Sequence, residues 1–246
     1  MLRNAWYAYG KAYSLENLKR LWNFSAIWIF FYMLFLLPVN ILEVQDGKHL
    51  ALYYLKMLPL MFMILNNALV LLTMPKRMFL CPMNKQQRKK YVLNLFWIKV
   101  LVPVLVGIVF NLLELFLFKT SMVYFGSLVI AFFVVNFSTC LFPQLNAREK
   151  RKRGWENLIM GASSVWNGIN MLLACVQIGL IMYLEKYEKA LSMGEGIALG
   201  ISTVIQILLC ILIWKKNMPC IIAEATDYEI CFRIRKNSEK NALNRG

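Results

Sequence analysis

Six long apolar stretches run through this chain of 246 residues, and its basic residues crowd into alternate gaps between them. The stretches cover roughly Leu21–Leu42, Leu50–Met74, Leu95–Phe118, Met122–Phe142, Leu158–Leu184 and Gly196–Trp214. Each reaches the ~20 residues that a helix needs to cross the hydrocarbon core of a bilayer. Together they take up more than half of the chain and leave little for a soluble domain. The expected fold class is an all-α membrane protein with six transmembrane helices, and a hydrophobic content of 59% agrees with it.

Charge gives the orientation. Arg3, Lys11, Lys19 and Arg20 precede the first stretch. Lys76, Arg77, Lys85, Arg88, Lys89 and Lys90 fill the second gap, and Arg148, Lys150, Arg151, Lys152 and Arg153 fill the fourth. Seven more follow the last stretch, whereas the opposite side holds only Lys48, Lys56, Lys119, Lys186 and Lys189. The positive-inside rule then places both termini in the cytoplasm. A net charge of +15 in a soluble chain would suggest nucleic acid. Segregated on one face, it suits anionic lipids of the inner leaflet instead, and no nucleic-acid partner is expected. Trp22, Trp97, Trp155 and Trp214 fall at the cytoplasmic ends of their stretches, where indole rings favour the interface.

The chain divides into an N-terminal segment 1–20, a transmembrane domain 21–216 and a cytoplasmic tail 217–246. In the first segment Leu2, Trp6, Tyr9 and Tyr13 share one helical face, which reads as an amphipathic interfacial helix on the inner membrane surface. The alternative is a helix packed against the bundle. The outer loops are short: Glu43–His49, Lys119–Ser121 and Glu185–Glu195. A protein partner would therefore dock from inside. None of the six cysteines lies in an outer loop and no CxxC pair occurs, so neither a disulfide framework nor a zinc or other metal site is expected.

No P-loop is present, because Gly10-Lys11 and Gly47-Lys48 lack the flanking residues. The only histidine, His49, sits in an outer loop, and no HExxH or GxSxG occurs. The chain is expected to be no enzyme.

Polar residues inside the stretches are the remaining signal. Asn66, Asn67, Asn136, Asn167 and Gln206 lie at a similar depth from the cytoplasmic ends. Ser163, Asn167, Asn170 and Gln177 form one polar face of the fifth stretch. Amides in hydrocarbon must find partners. The face is therefore either interhelical glue or part of a translocation path. Lys56 and Glu114 lie at matching depth near the outer ends of the second and third stretches, where an intramembrane ion pair is plausible. Gly196-xxx-Gly200, and Gly161 with Gly168, would permit close helix approach.

The most specific local sequence follows the second stretch: Met74-Pro75-Lys76-Arg77-Met78-Phe79-Leu80-Cys81-Pro82-Met83-Asn84-Lys85-Gln86-Gln87-Arg88-Lys89-Lys90-Tyr91. Pro75 should stop the second helix, since the residue before proline avoids the helical region. Asn84 with Gln87 makes a capping-box pattern, so a helix should start near Lys85 and run into the third stretch.

An amphipathic N-terminal helix, six spans, cytoplasmic termini and the Leu80–Arg88 sequence resemble the ABC type-2 permease family. The resemblance implies a membrane subunit that couples a separate cytoplasmic ATPase to translocation, more in keeping with export. ATP and Mg would sit on that partner and no cofactor on this chain. Phe79, Leu80, Pro82, Asn84, Gln87, Arg88 and Tyr91 would form the ATPase-coupling loop. A second permease copy, or a related chain, would complete the path in the plasma membrane of a bacterium. Two other classes remain open: an ATP-independent secondary transporter or channel, and a membrane scaffold or assembly factor without transport activity.

Overall fold

The computed structural model describes residues 1–14, 47–80, 83–119, 122–141, 157–186, 192–227 and 231. The expected first span Leu21–Leu42, Cys81 and Pro82, the second basic loop with Trp155, and the tail beyond Cys231 lie outside them.

The described residues form helices and no strands: α1 (Leu2–Ala12), α2 (Gly47–Leu69), α3 (Lys76–Phe79), α4 (Lys85–Phe118), α5 (Met122–Cys140), α6 (Asn157–Lys186) and α7 (Met193–Thr226). Five of them, α2 and α4 to α7, are long and apolar enough to cross a membrane, as in an integral multi-pass membrane protein. Their outward faces carry exposed apolar side chains such as Val165, Leu172 and Val176 on α6 and Ile201, Leu208 and Leu212 on α7. Such a surface suits hydrocarbon and would be unstable against water.

Local chemistry sets several boundaries. Asn84 caps α4, accepting from the amides of Gln86 and Gln87, while the Gln87 side chain accepts from the Asn84 amide. This is the reciprocal capping expected from the sequence. Ser192 and Glu195 cap α7 in the same way. At the other end of α4, Lys119 adopts a left-handed conformation with φ of 54° and closes the helix.

Two boundaries differ from expectation. α2 ends at Leu69 rather than running on to Pro75. Residues 70–75 continue as a non-helical segment whose Val70, Leu72 and Met74 side chains are buried in the core, and the Met74 amide donates to the Ala225 carbonyl at 3.3 Å. Tertiary contacts, not the proline, end the helix. α7 continues twelve residues past Trp214, the expected end of the sixth stretch. Asn217, Met218, Ile221, Glu224 and Ala225 recur at helical spacing and are all buried, while Lys215 and Lys216 stay exposed. At 1.5 Å per residue, the 34 residues of α4 or of α7 extend about 50 Å, well beyond a ~30 Å hydrocarbon core. The excess carries the basic residues at one end of the bundle.

α4 and α5 form the centre. α2 packs on α4, α6 packs on α5, and α7 lies against α6, α5 and α4. Gly107 lets α4 and α5 approach closely: a Cβ there would meet the Phe132 ring at 3.2 Å. At Gly168 and Gly200 a Cβ would meet nothing within 4 Å, so these glycines do not serve close packing within the described residues. Trp97 and Trp214 face each other, ring centroids 5.3 Å apart, in a cluster with Phe96 and Phe137.

α1 packs on α4 at the basic end. Its expected single face is divided. Tyr9 is buried and Tyr13 half-buried against the bundle, whereas Leu2 and Trp6 remain about half exposed. The small Ala5 brings this side of the helix close to its neighbours.

Candidate functional site

Among the described residues, three polar centres inside the bundle gather most of its buried amides and its ion pair. The first begins with a covalent fact about α4. Pro103 has no N–H, so the carbonyl of Lys99, four residues earlier, loses its helical donor. Two asparagines from neighbouring helices replace it. Asn66 Nδ2 of α2 donates to the Lys99 carbonyl at 2.9 Å, and Asn136 Nδ2 of α5 donates to the Val100 carbonyl at 2.7 Å and to Lys99 at 3.3 Å. The other end of each amide is also used. Asn66 Oδ1 accepts from the phenols of Tyr9 and Tyr13, both at 2.8 Å. Asn136 Oδ1 accepts from Asn67 Nδ2, which also donates to Thr139 Oγ1. Asn67 Oδ1 accepts from the Cys140 thiol. Lys99 Nζ reaches the Asn67 carbonyl at the C-terminal end of α2 at 3.5 Å.

This centre holds α1, α2, α4 and α5 together. Burial pushes the Tyr9 phenol well above its usual range, and its contact with Tyr13 adds to the shift. Burial raises the Tyr13 phenol too, although the hydrogen bond with Tyr9 works the other way. Both phenols stay protonated and able to donate. Sequence reasoning placed Asn66, Asn67 and Asn136 at one depth but missed Tyr9, Tyr13 and the Lys99 carbonyl. The available signal was the four-residue spacing from Lys99 to Pro103.

The second centre is the expected ion pair. Lys56 Nζ and Glu114 Oε1 are 2.9 Å apart, and both residues are almost completely buried. Asn111, one turn before Glu114 on α4, donates to the Gly107 carbonyl, while its own oxygen has no partner among the described residues.

The third centre is the seam of α5, α6 and α7. Asn167 Nδ2 donates to the Ser138 carbonyl at 2.7 Å. Asn170 Nδ2 approaches Ser138 Oγ at 3.4 Å and Cys210 Sγ at 3.3 Å. Gln206 Nε2 donates to Gln177 Oε1 and Ser202 Oγ, and Gln177 Nε2 approaches Ser127 and Thr203. Asn167, Asn170 and Gln177 therefore bridge helices, as the glue reading expects. The side chain of Ser163 lies outside the described residues.

The loop before α4 is a built structure. Met78 is buried and Phe79 half-buried against the core, with the Arg88 guanidinium 5.8 Å from the Phe79 ring centroid. Leu80 projects from this base at 87% exposure. Asn84 and Gln87 are spent on the cap, and Lys85, Gln86, Lys89 and Lys90 are exposed. Tyr91, in the second turn of α4, is fully buried.

Comparisons with protein-family models, with curated proteins and with solved structures gave no match.

Proposed function

We propose that this chain is the membrane-spanning subunit of an ATP-binding-cassette transporter, and that it couples a separate ATPase to substrate translocation, in the export direction. The observation that carries the proposal is the loop ahead of α4. An exposed Leu80 stands on a packed Met78–Phe79 base beside a ring of basic side chains. That base leads through a capped helix of 34 residues directly into the centre of the bundle. A push on this loop would be carried along α4 to Pro103. The α5–α6–α7 seam is the proposed path, the basic end faces the cytoplasm, and a second permease copy completes the transporter in the plasma membrane. ATP and Mg belong to the partner.

Affinity purification in mild detergent should bring a P-loop ATPase with the chain. Leu80→Ser should release it more than Arg88, Lys89 and Lys90 changed together to Gln, because apolar anchors dominate interface energetics. An ATPase that never co-purifies, or that both variants retain in full, would remove the proposal. A buried Lys56–Glu114 pair favours the second reading, an ATP-independent transporter; uptake by vesicles without nucleotide, abolished by Glu114→Gln, would establish it.

A further inference from the structure

We propose that the seam of α5, α6 and α7 is a binding site for a small hydrogen-bond donor, a water molecule or a primary ammonium group. Asn167, Asn170 and Gln206 are completely buried, and the side-chain oxygen of each has no donor within hydrogen-bond reach among the described residues. An amide oxygen left unsatisfied away from water is costly, so three in one seam call for a donor that the described residues do not supply.

Exchanging O and N within the amides does not remove the vacancy. Asn167 needs its nitrogen where it stands, because it faces the Ser138 carbonyl. Gln206 needs its nitrogen to face Gln177 Oε1. Asn170 faces only a hydroxyl and a thiol, which can donate or accept, so turning it over leaves the nitrogen unmatched in place of the oxygen.

The three acceptors are neighbours. Asn167 and Asn170 lie three residues apart on α6, within about 6 Å. Asn170 touches Cys210, and Cys210 is one helical turn from Gln206 on α7. All three therefore fall within roughly two turns, about 11 Å of helix. Among the described residues the seam offers amides, hydroxyls and a thiol and holds no carboxylate. A divalent cation would lack its usual anionic ligands. A neutral donor or a singly charged ammonium matches the acceptors, and buried water typically makes two to four such bonds.

This inference does not depend on an ATPase partner, and its test uses the chain alone in lipid nanodiscs. Radiolytic hydroxyl-radical footprinting labels side chains beside bound water even when bulk solvent cannot reach them. Cys210 and Cys140 are both buried free thiols, and Cys140 belongs to the centre whose amide oxygens are all used. Cys210 should be labelled several-fold faster than Cys140. In parallel, thermal unfolding is followed in methylammonium chloride and in tetramethylammonium chloride at equal ionic strength; the second ion has no N–H. Fast labelling of Cys210 with identical melting in both salts assigns water. Saturable stabilisation by methylammonium alone, lost in Gln206→Leu, assigns an ammonium. Equal labelling of the two thiols together with identical melting in both salts would overturn the proposal, and that result needs only the unmodified chain.

Discussion

The two sides of this bundle treat the same side chain differently. Between α2, α4 and α5, asparagine is used at both ends: Asn66, Asn67 and Asn136 each donate and accept. Between α5, α6 and α7, Asn167, Asn170 and Gln206 donate but leave their oxygens open. The cause lies in what each side offers. Pro103 frees a backbone carbonyl, and two tyrosines from α1 bring hydroxyl donors into reach. Among the described residues of the α5–α6–α7 side, the hydroxyls of Ser138, Ser202 and Thr203 lie against amide nitrogens, and the three amide oxygens are left without a donor. The first side is built as a fixed joint, and the second keeps unspent capacity to bind.

The sharpest way to test the fixed side is at its charges. Replacing Lys56 by Met, or Glu114 by Leu, should destabilise the chain by about 3 kcal/mol or more, because each removes one partner of a buried ion pair. The double variant should recover most of that loss. Chemical unfolding in bicelles would read both, and a double variant as unstable as the singles would show that the pair does more than neutralise itself.

Next in size is the direct contrast of the two sides. Asn66→Leu removes three interhelical bonds, to Tyr9, Tyr13 and the Lys99 carbonyl. At about 0.6 kcal/mol each within a membrane, the loss should be about 2 kcal/mol. Asn167→Leu removes one bond and one unmatched oxygen, and should change stability by less than about 1 kcal/mol. Equal losses at the two positions would erase the distinction drawn between the sides.

A smaller effect examines why the fixed side is fixed. Pro103→Ala restores an N–H that can bond the Lys99 carbonyl within α4. Asn136→Leu should then cost less in the Pro103→Ala background than in the parent, with a coupling of about 1 kcal/mol. Additive losses would mean that the asparagines do not replace the missing backbone donor.

Much of this was readable from the residues alone. Apolar length gave the spans now seen as α2 and α4 to α7, and the Asn84–Gln87 spacing gave the start of α4. Matching depth gave the Lys56–Glu114 pair. The errors share one origin. Hydropathy reports which residues suit lipid, not which suit the rest of the chain. It therefore stopped α7 at Trp214, although Met218, Ile221 and Ala225 continue a buried face. It also extended α2 through residues 70–74, which are apolar because they pack as a non-helical core segment. Of the two readings of the N-terminal segment, packing against the bundle holds for Tyr9 and Tyr13, whose hydroxyls serve Asn66. The open oxygens of the seam had no signature at all, since an unmatched group is defined by a partner that is missing.

The smallest expected effect concerns pH, and it separates the α1 joint from the rest. Tyr9 and Tyr13 dock with their phenols protonated, and both are held above the ordinary value of 10.0. Below pH 10 the released and the docked tyrosines carry the same protons, so docking should not vary with pH. Above it the released phenols ionise while the docked ones resist, and each further rise in pH favours release. Trp6 is half exposed on α1, with its ring 6.0 Å from that of Tyr9, so its emission should report the change. Emission should stay level from pH 6 to 9 and shift only at more alkaline pH, with a weaker alkaline shift in Tyr9→Phe. A transition near neutrality that survives Tyr9→Phe would mean that another group holds α1 in place. The asparagine joint would then end at α2 rather than reach the N-terminal helix.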